Sequence, residues 1–154
     1  MKSVLFVCTG NTCRSVMAEA IMKKIIAEKN MDDKIQASSA GIFVVPNDRA
    51  SFQAVEVMGE YGINNIKGQK ARQINFSILN DASVVLTMTA GHKKLLLDRY
   101  PVFKDKIFTL IEYADGREGD IEDPYGQGIE VYRRCASELK KYLAKTVYKL
   151  GYAW

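Results

Sequence analysis

The sequence lacks long apolar runs, and this absence restricts where the protein can work. No stretch reaches the roughly eighteen consecutive apolar residues that cross a membrane. The first residues also lack the charged leader and apolar segment that are typical of a secretion signal. We therefore expect a cytoplasmic protein with no membrane partner.

A charge of one dominant sign is lacking as well. The 22 Lys and Arg residues are scattered among 18 Asp and Glu residues, and the formal net charge is only +4. Such mixing is typical of a solvated surface and not of a basic patch that binds nucleic acid. We therefore expect no nucleic-acid partner.

Cysteine is scarce, since the chain has three residues of this type. An odd number of cysteines without a secretion signal indicates free thiols in a reducing compartment. Any disulfide in this protein would therefore have a regulatory role.

The chain alternates short β-branched segments with longer amphipathic ones, which predicts an α/β fold with a parallel sheet covered on both faces. A length of 154 residues and a hydrophobic fraction of 47% fit a single domain, residues 1–154, and we expect a monomer. The predicted strands are Ser3–Val7, Lys34–Ser38, Ser83–Met88 and Lys106–Leu110. The predicted helices are Ser15–Lys29, Arg49–Tyr61, Ala90–Tyr100 and a last segment with an apolar stripe from Ile129 to Leu150.

The stretch "VLFVCTGNTCRS" places a polar loop directly after the first predicted strand and before the first helix. Ligands of such sheets bind at the carboxyl ends of the strands, and the N–H groups at a helix start can hold an anion. Gly10 removes a side chain where we expect the backbone to turn, and the planar guanidinium of Arg14 can hold two phosphate oxygens. Cys8 would then lie among donors that favour its thiolate, as a nucleophile facing a bound phosphate.

Attack on a phosphoryl group also needs a proton donor for the leaving group. His92 is the single histidine, and its place at a helix start predicts an exposed side chain. A carboxylic acid is the better candidate, and the segment "GDIEDPYGQG" offers Asp120, Glu122 and Asp123. Asp123 is favoured because its loop follows the fourth strand and Pro124 fixes the direction of the chain there.

Four motifs together resemble the low-molecular-weight protein tyrosine phosphatase family: "CTGNTCRS", "SSAG", "PNDRA" and "DPYG". The resemblance extends over nearly the whole chain. It implies the flavodoxin-like fold of that family, a three-layer sandwich around a four-stranded parallel sheet in the order 2-1-3-4. It also implies phosphorylated protein substrates and neither a metal nor another cofactor.

The same resemblance assigns roles to individual residues. Cys8 would form a phosphocysteine, Arg14 would hold the phosphate, and Ser15 would donate a hydrogen bond to the thiolate. Asn11 would brace the loop, and Asp123 would act first as general acid and then as general base. The other loop residues expected around the phosphate are Thr9, Gly10, Thr12 and Cys13. Phe43 and Tyr125 would form walls of the substrate cleft, although plain packing roles remain open for both.

Thr12 bears on the choice of substrate. Tyrosine-specific members of the family generally carry Ile or Leu at this position, whereas a hydroxyl suits a polar guanidinium. The segments "CTGNTCRS", "VLTMT" and "KIFTLIEY" resemble the bacterial protein-arginine phosphatase branch. We therefore favour phosphoarginine as the substrate and keep phosphotyrosine as the alternative.

Two further functions remain to be weighed. Thiol-dependent arsenate reductases resemble this fold, but they need two more cysteines in the middle of the chain, and here only Cys13 and Cys135 remain. A module that binds anions without catalysis would not need nucleophile, guanidinium and acid together. Cys13 could form a reversible disulfide with Cys8 after oxidation, or it could be a small buried residue.

Overall fold

A computed structural model of the chain describes residues 1–152, and a four-stranded parallel sheet forms its centre. The strand order is β2-β1-β3-β4, as expected from the family resemblance. In parallel register, Cys8 at the end of β1 pairs with Gly41 at the end of β2. The strands are β1 (Lys2–Cys8), β2 (Ile35–Gly41), β3 (Val84–Thr87) and β4 (Ile107–Thr109).

Six α-helices and one 3₁₀ helix surround this sheet in residues 1–152. The α-helices are α1 (Arg14–Glu28), α2 (Phe52–Glu60), α3 (Phe76–Asp81), α4 (Ala90–Arg99), α5 (Leu110–Asp115) and α6 (Ile129–Tyr152). The 3₁₀ helix, Pro101–Lys106, leads into β4. No helix among these residues is long and apolar enough to span a bilayer.

The sequence did not predict α3, α5 or the 3₁₀ helix. Each is six residues long, which is too short to show a helical period. The expected fourth strand ends early because Thr109 starts α5: its hydroxyl accepts from the Glu112 N–H, and the Glu112 carboxylate accepts from the Thr109 N–H. The helix expected from Arg49 begins three residues later, at Phe52, where Ser51 caps it.

Side chains of β1 alternate between the two faces of the sheet and make the fold a three-layer sandwich. Val4 and Phe6 belong to the core formed with α1, α2, α5 and α6, whereas Leu5 and Val7 belong to the core formed with α3 and α4. All four are at most 1% exposed, and such burial stabilises the fold by about 1.5–3 kcal/mol per side chain. β1 is therefore a central strand with both of its faces buried.

The last helix confirms the apolar stripe read from the sequence. Side chains spaced by three and four residues along α6 are buried in the core that α6 shares with α1, α2 and α5. They are Tyr132, Cys135, Ala136, Leu139, Leu143, Val147 and Leu150.

Candidate active site

Residues 8–14, here called the phosphate-binding loop, connect β1 to α1 at the carboxyl edge of the sheet. The loop turns at Asn11, whose φ of 57° is left-handed, and asparagine tolerates that conformation better than most residues. The backbone also bends at Gly10, as expected, but the φ of Gly10 is not positive and an added Cβ would meet only ordinary contacts, so this bend does not require a glycine.

Gly41 is the glycine that this loop requires. A Cβ at position 41 would lie 2.7 Å from the Thr9 carbonyl oxygen and 3.0 Å from the Asn11 nitrogen. These contacts are too short for real side chains, so the loop packs directly on bare backbone at the end of β2. The "SSAG" motif thus supports the loop through its last residue.

A chain of hydrogen bonds behind the loop ends at the Cys8 thiol. Glu19 Oε1 accepts from Ser39 Oγ (2.5 Å), and Asn11 Nδ2 donates to both Ser39 Oγ (2.9 Å) and Ser15 Oγ (2.8 Å). Ser15 Oγ accepts from Asn11, and within residues 1–152 the Ser15 hydroxyl has no acceptor for its own hydrogen except Cys8 Sγ, 2.8 Å away. Ser15 is thus placed to donate a hydrogen bond to the sulfur.

Sequence reasoning missed Ser39 and Glu19 as parts of this network. Glu19 is 8% exposed, and Lys23 balances its charge at 2.6 Å. The signal was present, since Glu19 is the single charged residue in the stretch "VMAEAIM" of α1. A buried carboxylate on an apolar helix face needs partners of this kind.

Arg14 joins the phosphate-binding loop to the acid loop, residues 116–128. Its Nη1 donates to the Ile121 carbonyl at 3.0 Å, and its Nη2 lies 3.5 Å from Asp123 Oδ2. The Arg14 side chain is 6% exposed, and that of Asp123 is 55% exposed. The acid loop is also tied to the sheet, because the Ile121 N–H donates to the Met88 carbonyl after β3. The guanidinium is thus fixed, while the carboxylate reaches solvent.

A pocket of about 220 Å³ opens where these two loops meet. Two of its lining residues, Val45 and Asp48, were not predicted from the sequence. Phe43 does not line this pocket, and the Arg99 guanidinium lies 4.8 Å from its ring centroid instead. The predicted residues that do line it are Cys8, Thr9, Gly10, Thr12, Cys13, Arg14, Asp123 and Tyr125. Asn11 and Ser15 are buried behind the loop, where they brace it.

Comparison with known proteins identifies this arrangement. Residues 3–152 match the family model described as "Low molecular weight phosphotyrosine protein phosphatase". The chain belongs to this family. Membership makes it a cysteine-based phosphoprotein phosphatase.

Individual relatives carry two different substrate names within this phosphatase family. A protein-arginine-phosphatase of Geobacillus stearothermophilus is 40% identical over 96% of this chain and 95% of its own. The low molecular weight protein-tyrosine-phosphatase PtpB of Staphylococcus haemolyticus is 37% identical over 92% and 95%. A solved low molecular weight protein tyrosine phosphatase from T. tengcongensis has a TM-score of 0.91, with 45% identity over 97% of this chain and all of that one.

His92 is placed differently from the sequence expectation. Its side chain is buried, with the residue 7% exposed, and its Nε2 lies 2.9 Å from Thr9 Oγ1 in the phosphate-binding loop. Burial and the nearby Arg14 charge lower the pKa of His92 to about 4, although Asp123 and Asp120 act in the opposite direction. His92 is therefore neutral near pH 7.

The three thiols are free and buried, and their surroundings differ. Burial raises the pKa of the Cys135 thiol to about 12, so this residue stays protonated. Cys13 Sγ lies 3.2 Å from the Tyr132 hydroxyl, and burial together with this contact raises the pKa of Tyr132. Cys13 also lines the pocket with Cys8.

In residues 1–152 no three His, Cys, Asp or Glu side chains are grouped to hold a metal ion.

We expect Cys13 to protect Cys8 from irreversible oxidation. Peroxide should convert the Cys8 thiolate to a sulfenic acid, which Cys13 then captures as a disulfide with loss of water. In the unmodified protein, dithiothreitol should restore the activity that a short peroxide pulse removes. In Cys13→Ser, dithiothreitol should restore much less of the lost activity. Cys135→Ser is the matched control, with recovery like that of the unmodified protein. Equal recovery in Cys13→Ser would show that no disulfide protects Cys8.

Proposed function

We propose that this phosphatase hydrolyses phosphoarginine in proteins through a phosphocysteine on Cys8. The observation that carries the proposal is the set of polar groups in the pocket, where Asp48 supplies a carboxylate, Asp123 the carboxyl group of the proposed acid and Thr12 a hydroxyl. A phosphorylated arginine carries a guanidinium cation next to its phosphoryl group, which these groups complement. The phenyl ring of phosphotyrosine carries no such charge.

In the first step the Cys8 thiolate attacks phosphorus, and the bond between phosphorus and the guanidinium nitrogen breaks. The electron pair of that bond goes to nitrogen, which takes a proton from the protonated Asp123 carboxyl group. Arg14 and the N–H groups of the loop hold the phosphoryl oxygens as their charge develops. Ser15 keeps its hydrogen directed at the sulfur, 2.8 Å away.

In the second step a water molecule attacks the phosphocysteine. The Asp123 carboxylate takes the water proton, the sulfur–phosphorus bond breaks, and its electron pair returns to Cys8 as the thiolate. Inorganic phosphate then leaves, and Asp123 is protonated for the next cycle. No cofactor is needed to balance either step.

Phosphotyrosine is the second candidate, and one observation favours it. Val45 and Tyr125 also line the pocket, and both residues are exposed, at 63% and 72%. Such surfaces can pack on a phenyl ring.

Cytoplasmic location, the monomeric state and the extent of the single domain stay predictions.

The experiment that decides between these substrates is Thr12→Ile. The change should remove a polar partner and add apolar surface while leaving Cys8, Arg14 and Asp123 in place. We expect the ratio of kcat/KM for phosphoarginine to kcat/KM for phosphotyrosine to fall by roughly ten- to a hundredfold. Matched peptides that carry one or the other phosphorylated residue, in the same buffer and salt, give this ratio.

Asp48→Asn is the companion variant, because it removes one carboxylate and leaves Thr12 untouched. It should lower kcat/KM for phosphoarginine and leave that for phosphotyrosine within about threefold. A preference for phosphotyrosine before any substitution would disprove the arginine proposal. An unmoved ratio in both variants would leave Thr12 and Asp48 without a part in substrate choice.

A further inference from the structure

The pair formed by Thr9 and His92 has no part in the steps derived above. Thr9 directly follows the nucleophile, is exposed and lines the pocket. His92 belongs to the first turn of α4 and is buried against the loop. A distance of 2.9 Å joins Thr9 Oγ1 to His92 Nε2. A histidine whose main polar contact is a hydroxyl in the phosphate-binding loop calls for an explanation.

The hydrogen bond of His92 has a direction that the burial of its ring determines. Within residues 1–152, His92 Nδ1 is buried and has no hydrogen-bond partner. A buried N–H without an acceptor is rarer and costlier than a buried lone pair without a donor. The neutral ring therefore carries its proton on Nε2, and Nε2–H donates to Thr9 Oγ1.

Three charged groups lie near enough to act on the charge of the ring: Arg14 from the phosphate-binding loop and Asp120 and Asp123 from the acid loop. Asp120 Oδ1 also accepts from the Ala90 N–H at 2.8 Å, at the start of α4. The positive end of this helix disfavours a second cation three residues after its cap, as does the Arg14 guanidinium. A neutral donor is thus the form of His92 that the surroundings support.

The direction of this bond leaves the Thr9 hydroxyl hydrogen unused. Thr9 Oγ1 already accepts from His92, and in residues 1–152 it has no second hydrogen bond. Its hydrogen is therefore not donated to any group among these residues, and Thr9 itself lines the pocket.

We infer that Thr9 contacts the substrate through this hydroxyl, which donates to a phosphoryl oxygen, and that His92 is the positioning residue that sets its direction. A threonine alone would rotate its hydroxyl between several acceptors. With His92 occupying one lone pair, the donor is set before the phosphate arrives. The pair adds a side-chain donor to those from the loop backbone and Arg14.

Thr9→Val tests the donor, since valine keeps the shape and removes the hydroxyl. The probes are p-nitrophenyl phosphate as substrate and inorganic phosphate as competitive inhibitor. We expect the inhibition constant of phosphate to rise about tenfold or more, because a hydrogen bond to a charged group is lost. His92→Phe should also raise the inhibition constant of phosphate. Adding His92→Phe to Thr9→Val should raise that constant no further.

His92→Gln is the conservative variant, because its side-chain N–H can reach Thr9, and it should recover most of the loss seen in His92→Phe. If His92→Phe fails to fold, His92→Asn replaces it, since asparagine is too short to reach Thr9. Lys94→Gln, on the exposed side of α4, is the matched control. Melting temperatures separate lost positioning from lost stability.

Two results would overturn the inference. One is an inhibition constant within twofold of the unmodified value in Thr9→Val. The other is a loss in His92→Phe that persists undiminished in the Thr9→Val background, which would mean a structural role for His92. Neither probe contains arginine or tyrosine, so these outcomes are independent of the proposed phosphoarginine specificity.

Discussion

Cys8→Ser should abolish turnover of p-nitrophenyl phosphate while inorganic phosphate still binds. We expect kcat to fall by roughly 10⁴-fold or more, because a serine hydroxyl is a much weaker acid than a thiol and, within residues 1–152, the side chain at this position is hydrogen-bonded to the Ser15 hydroxyl and to no base. Ser15 directs its hydrogen at this atom, which supports a thiolate but does not remove a proton from an alcohol. Phosphate binding should survive, since the loop N–H groups and Arg14 are unchanged.

Assays of p-nitrophenyl phosphate hydrolysis that are stopped after fixed times give kcat for this variant. Isothermal titration calorimetry gives the dissociation constant of phosphate. Cys135→Ala is the matched control, as it removes a buried thiol that does not line the pocket. Turnover within tenfold of the unmodified protein would remove Cys8 from the mechanism. Loss of phosphate binding would instead point to collapse of the loop.

Asp123→Asn should slow hydrolysis by an amount that depends on the leaving group. A poor leaving group such as phenol needs a proton as its bond to phosphorus breaks, so we expect a loss of roughly 10²–10⁴ for phenyl phosphate. p-Nitrophenol departs as a stable anion, so the loss for p-nitrophenyl phosphate should be much smaller. Asparagine keeps the size of the side chain and removes only the proton that can be transferred.

The measurement is kcat over a series of aryl phosphates that differ in the pKa of the leaving phenol. Asp98→Asn, which removes an exposed carboxylate paired with Lys94 on α4, is the matched control. Equal losses across the series would mean that Asp123 holds the acid loop in place through its contact with Arg14, 3.5 Å away.

The architecture was readable from the sequence because its signals are local. Four β-branched segments and the stripe along α6 predicted a parallel sheet with a long covering helix, and the structure confirms both. The carboxyl ends of parallel strands share one edge, so loops far apart in the chain were expected to meet there. Cys8, Arg14 and Asp123 do line one pocket, while the chemical roles assigned to them stay predictions.

Contacts between distant segments were beyond the reach of local patterns. The burial of His92 depends on a loop more than eighty residues away in the chain. The local sequence "TAGHK" contains no pattern that predicts the contact of His92 with this loop. Asp48 was quoted only as part of the "PNDRA" motif, because its place in the same pocket as Thr12 depends on the path of the whole segment after β2. The left-handed conformation of the loop lies at Asn11, whose side chain is held by Ser15 and Ser39, and no local pattern indicated it.

The bare backbone at Gly41 has a consequence for recognising proteins of this kind by pattern. A search for a cysteine, an arginine six positions later and a following serine describes only the loop itself. Any side chain at position 41 would meet the Thr9 carbonyl oxygen at 2.7 Å, so a chain with the loop motif and a larger residue there could not close the same loop. A sequence signature that pairs the loop motif with a glycine at the end of the neighbouring strand would therefore select chains that can form the same loop conformation.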